Sequence, residues 1–262
     1  MEIRDFARTL VGTDDLTVKL QPPANTLTDD SPGPPLRPTA PGRPESLRIA
    51  PAKATRVPSI EGMGDPSQRV RILHALANHE LQAVELYAWA LLAFPDAPAE
   101  FRRDALRILD DEQRHTRMYI ARVEAHGARF GDWSVSGYFW NKVDGFTTPL
   151  AFVCAMALTF ENANLDHTTE LADAARRAGD PKTAAVIERV HRDEIDHVAF
   201  GWRWLTHFKA EDASAWDTYR SSLDWPLRPA KARGRRFHRS GRRAAGLDDE
   251  FIDRLEAAPL DA

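Results

Sequence analysis

Two stretches, LDDEQRHTRMYIARVE at 109–124 and VHRDEIDHVAFGWRW at 190–204, decide how this chain is read. Each carries a Glu three residues ahead of a His: Glu112 with His115, and Glu194 with His197. On an α-helix that spacing stacks both side chains on one face about one turn apart, where a carboxylate and an imidazole reach a shared metal ion. A chain with 9 His and 39 Asp plus Glu produces one such pair by chance, so their positions carry the weight.

Working outward, apolar residues recur at three- and four-residue spacings in four segments, 67–93, 98–127, 149–178 and 181–209, each predicted to be a helix. Pro98, Pro149 and Pro181 suit first turns, Thr148 and Asp180 suit N-caps, and Gly127 and Gly179 suit the ends. Glu112 and Glu194 fall near the midpoints of their helices, and so do Glu80 in the first and Glu161 in the third. About four residues join the first pair of helices and about two join the second, which makes each pair an antiparallel hairpin; some 20 residues link the hairpins. The expected class is all-α: a ferritin-like four-helix bundle with a long crossover between helices 2 and 3. A plain up-down-up-down bundle is the alternative.

In antiparallel helices of similar length, midpoints share one level. Glu80, Glu112, His115, Glu161, Glu194 and His197 then form one layer, suited to a pair of iron ions, or to an Fe/Mn or manganese pair. Glu161 interrupts the apolar stripe of Val153, Cys154, Ala157 and Leu158, and a carboxylate buried there needs a cation or a proton. In the first helix Glu85 competes with Glu80. Glu80 shares a face with Ala83, Val84 and Tyr87, whereas Glu85 is rotated by about 140° and is left as a neighbour of the ligands. Tyr87, Tyr119 and Asp193 are further candidates to bond or orient ligands.

The stretches NHELQAVELYAWALLAFPD (78–96), LDDEQRHTRMYIARVE, LTFENANLDHT (158–168) and VHRDEIDHVAFGWRW resemble a bacterial branch of the ferritin-like di-metal carboxylate superfamily. The Pro-rich segment and the C-terminal GRRFHRSGRRAAGLDDEFIDRL resemble parts of it too, so most of the chain is covered. The resemblance implies that all six residues are metal ligands. Similarity to rubrerythrins, whose first-helix Glu is followed seven residues later by a Tyr, supports Glu80 with Tyr87. The chain lacks their Cys-rich rubredoxin-type domain, so an external electron donor is expected.

Composition agrees with an N/O donor set. A single Cys in 262 residues rules out an all-thiolate metal site and an intrachain disulfide. Eleven of the 18 Pro fall between Pro22 and Pro66, a stretch read as an extended arm anchored by Leu27, Leu36, Leu47, Ile49, Val57 and Ile60. Between Arg228 and Arg243 lie eight basic residues and no acid, leaving 27 basic against 39 acidic elsewhere, a formal charge of -12. Arg233, Arg235, Arg236 and Arg239 are candidate anion contacts there. The expected division is 1–66 arm, 67–209 bundle and 210–262 basic helical extension. With no long apolar run and no signal-like start, the chain reads as cytoplasmic, with no membrane partner. The expected function is an O₂-dependent di-iron oxidase or oxygenase using a small organic substrate, with a dimer as one assembly. Alternatives are a tRNA-modifying hydroxylase with nucleic acid as partner, a ferroxidase or iron-handling protein, and a metal-free helical binding protein.

Overall fold

The computed structural model describes residues 1–259, which form helices and loops with no β-strand among them. The helices are α1 (Ile3–Gly12), α2 (Leu16–Lys19), α3 (Pro66–Ala93), α4 (Ala99–Ala125), α5 (Pro149–Ala155), α6 (Asn162–Arg177), α7 (Pro181–Phe208), α8 (Ala215–Ser221), α9 (Arg239–Ala244) and α10 (Asp249–Ala257). None is long and apolar enough to cross a membrane. The chain divides into two compact units, one ending at Val143 and one beginning at Asp144.

In the first unit α3 and α4 pack as a hairpin. Asp65 starts α3 by accepting the amides of Ser67 and Gln68, and Pro66 supplies a fixed φ at the first helical position. From Ala83 to Ala93 every residue of α3 is buried, so this helix is covered on all sides rather than along one stripe. The Pro-rich arm covers part of it, held by polar contacts as well as by apolar anchors, of which Leu27, Ile49 and Ile60 are half-buried. Leu47 is buried, but Leu36 and Val57 are exposed. Instead the Leu36 amide donates to the Leu92 carbonyl, the Trp89 indole donates to the Pro38 carbonyl, and Arg4 donates to the carbonyls of Pro32 and Pro34. A Pro-rich chain offers few amides but keeps all its carbonyls, and the unit satisfies them with side-chain donors.

In the second unit α7 lies against a helical rod built from α5, a π-helical turn (Met156–Glu161) and α6. Thr148 caps α5 and Asp180 caps α7, each ahead of a Pro, as the sequence predicts. The sequence does not predict the π turn, because MALTFE contains neither Gly nor Pro and consists of residues an α-helix accepts. Gly201 lets α7 close on that turn: a Cβ there would sit 2.6 Å from the Ala157 Cβ and 3.0 Å from the Leu158 Cγ. The core continues into the C-terminal extension, where Tyr219, Phe251, Ile252 and Leu255 join Cys154, Leu158, Leu165 and Val198. Arm and extension are thus built into their units.

Candidate metal centre

Each unit buries one carboxylate–carboxylate–imidazole triad. In the first, Glu80 comes from the middle of α3, and Glu112 and His115 come from the middle of α4. The His115 Nδ1 lies 3.6 Å from Glu80 Oε2 and 3.7 Å from Glu112 Oε2. All three residues are buried, and one ligand atom from each lies within 4.8 Å of the others. Burial and the neighbouring Glu112 charge together push the Glu80 carboxyl well above its ordinary range.

In the second unit Glu161 ends the π turn, and Glu194 and His197 come from the middle of α7. His197 Nδ1 lies 3.4 Å from Glu194 Oε2, and these three residues also offer ligand atoms within 4.8 Å of one another. Asn164 donates its Nδ2 to Glu194 Oε1 at 2.9 Å and to Glu161 Oε2 at 3.4 Å. The other oxygen, Glu194 Oε2, is buried with no hydrogen-bond partner among the described residues. A buried carboxylate oxygen left that way costs on the order of 1–3 kcal/mol or more, which a cation offsets. Carboxylate oxygens with one imidazole nitrogen suit iron, manganese or zinc, so the donors in both triads fit a divalent transition metal.

Asn164 is not among the residues expected from the sequence, although its signal is there. It follows Glu161 by the same three residues that separate each Glu from its His.

The Glu85 carboxylate is occupied: Arg43 donates its Nε at 2.9 Å and its Nη2 at 2.7 Å, the Trp140 indole donates at 2.7 Å, and the Lys19 ammonium lies 3.2 Å away. It ties arm, α2 and crossover to α3, and no local pattern in the sequence foreshadows those partners. Asp193 takes Arg189 at 3.0 Å, one turn back on α7. Tyr87 and Tyr119 are fully buried on the ligand-bearing helices.

The arginines expected to contact an external anion are engaged by the chain itself. Arg233 donates to the carbonyls of Glu256 and Ala258, Arg236 pairs with Asp173 at 2.8 Å, and Arg239 pairs with Asp253 and Glu256. Arg242 is wholly buried on Asp166, at 2.8 and 3.0 Å. Of the four candidates Arg235 and Arg236 are exposed, and Arg233 and Arg239 are half-buried. The clustered charge that reads as a cationic strip in the sequence is largely the counterpart of acids on α6 and α10.

Among known proteins, the chain is 25% identical over 140 residues to an uncharacterized protein of Haemophilus influenzae (strain ATCC 51907 / DSM 11121 / KW20 / Rd). That match takes in 50% of this chain and 49% of the relative, so the chain spans about half of the relative's length. No solved structure matches. A family model described as "Protein of unknown function (DUF455)" matches residues 8–253, which includes both triads, most of the arm and nearly all of the C-terminal extension, and the chain therefore belongs to the DUF455 family.

Proposed function

We propose that the protein is a di-iron oxidase or oxygenase of the ferritin-like four-helix class, each triad holding one of its two metal ions. Its substrate is a small organic molecule, and its electrons come from an external donor. The observation that supports this is repetition: each unit buries the same donor set, one Glu from one helix and a Glu-x-x-His pair from the next. All four Glu lie near the midpoints of long helices, the register at which antiparallel helices bring ligands to one level.

When bound, the reduced iron pair supplies Lewis acidity and electrons for O₂-dependent oxidation; an Fe/Mn or manganese pair suits the same donors. The chain's part is to hold and enclose. Both histidines present Nδ1 toward carboxylates, so Nδ1 is the nitrogen that would hold an ion. Asn164 fixes Glu194 Oε1 and leaves Oε2 for an ion. Buried Val84, Leu158 and Leu165 exclude water from the neighbourhood of these charges.

Metal analysis of protein expressed with iron or manganese in excess tests the reading. Two ions per chain are expected, falling to one or fewer in Glu112→Ala and Glu161→Ala, with a lower unfolding temperature after chelation. Far fewer than two ions, together with thermal stability indifferent to chelation, would overturn it in favour of a metal-free helical protein.

A further inference from the structure

The C-terminal extension reaches the turn that carries Glu161. Tyr219, on α8, is fully buried, and its hydroxyl lies 2.9 Å from the Thr159 Oγ1 in the middle of the π turn. Thr159 donates its one hydroxyl proton to the Cys154 carbonyl five residues back, at 2.7 Å. Tyr219 must therefore be the donor in the second bond, and Thr159 the acceptor. Burial holds the Tyr219 phenol far above its ordinary pKa, which keeps that donor proton in place.

A π turn is rare because it gives up the regular α register, and it persists where its surroundings over-determine it. Here the Asn162 amide bonds the Ala157 carbonyl five residues back, and the Thr159 hydroxyl spans an interval of the same length. Inserting one residue into a helix rotates everything beyond it by about 100°, so the turn sets the direction in which Glu161 leaves the helix.

We propose that Tyr219 is a positioning residue for Glu161, acting through the Thr159 hydroxyl to hold the Met156–Glu161 turn in its π register. The extension thereby sets metal affinity at the second triad without touching an ion. This rests on the metal-centre reading above.

The test titrates chelator-stripped full-length protein with Co(II) and reads both affinity and the ligand-field spectrum. Tyr219→Phe deletes the donor and Thr159→Val deletes the hydroxyl, whereas Thr159→Ser keeps it. Loss of a hydrogen bond supporting a ligand weakens metal binding by roughly 10- to 100-fold. The expected result is a weakening of that order at one of two ions, with an altered spectrum, in Tyr219→Phe and Thr159→Val, and wild-type behaviour in Thr159→Ser. Phe251→Leu controls for packing: its ring lies 5.1 Å from that of Tyr219, but it makes no bond to Thr159. It is expected to lower the apoprotein's stability while leaving Co(II) affinity unchanged. Wild-type affinity and spectrum in Tyr219→Phe would overturn the proposal, and so would an equal loss of affinity in Phe251→Leu. A wild-type protein that binds fewer than two ions would fail the metal-centre reading itself.

Discussion

His74 illustrates how one buried side chain ties stability to pH. It lies on α3, its Nε2 accepts the Gly131 amide at 2.9 Å, and its ring meets Phe130 and Trp133 with centroids 5.1 and 5.3 Å away. Burial lowers its pKa to about 4 against the opposing pull of Asp132. The unfolded chain binds that proton near pH 6.5, so the contribution of neutral His74 is fully present above about pH 6.5 and is lost as the pH falls toward 4. Urea unfolding across that range should show a loss of about 2 kcal/mol assignable to this residue. His74→Gln, which keeps an acceptor for Gly131 but cannot titrate, should flatten that part of the profile; an unchanged profile would remove His74 as its source.

Among the elements, the rod of α5, π turn and α6 separates what the sequence discloses from what it hides. Its ends were legible, because Thr148-Pro149 and Gly179 carry their conformational preferences with them. Its interruption was not, since a π turn of ordinary helix formers is fixed by what packs on it. Gly201 is one such partner. Adding a methyl there gains about 1 kcal/mol of helix propensity, but it drives a Cβ into the Ala157 Cβ, and overpacking of a tight contact costs about 1–3 kcal/mol. Gly201→Ala is therefore expected to be neutral to destabilising by up to about 2 kcal/mol in chemical denaturation, opposite to the gain seen for Gly→Ala in an open helix. A clear gain in stability would show that the helices can part there at little cost. The ligands were legible for a different reason: Glu-x-x-His is a local spacing, and a carboxylate breaking an apolar stripe is visible without any partner.

Across the whole chain, each unit fastens a terminal extension to its helical hairpin with a buried ion pair: Arg43 and Lys19 on Glu85 in one, Arg242 on Asp166 in the other. None of these could be read from the sequence, because the partners are dozens of residues apart and each charge looks like surface in its own window. Asp166 also accepts the amides of Gly234 and His238, so the extension converges on one carboxylate. Arg242→Met strands that charge and is expected to cost about 3–5 kcal/mol in equilibrium unfolding. Adding Asp166→Asn should recover part of this, since it removes the charge and keeps an oxygen for one of the two amides; no recovery would mean that Arg242 acts by packing alone.

The two pairs also differ in the order in which the ribosome makes them. Glu85 emerges 42 residues after Arg43 and finds its cations already synthesised. Asp166 emerges 76 residues before Arg242 and cannot be buried at low cost until its guanidinium follows. The first unit can close as it leaves the exit tunnel, while the second waits until Arg242 has been made, the interval in which its apolar helices are exposed to chaperones and to aggregation.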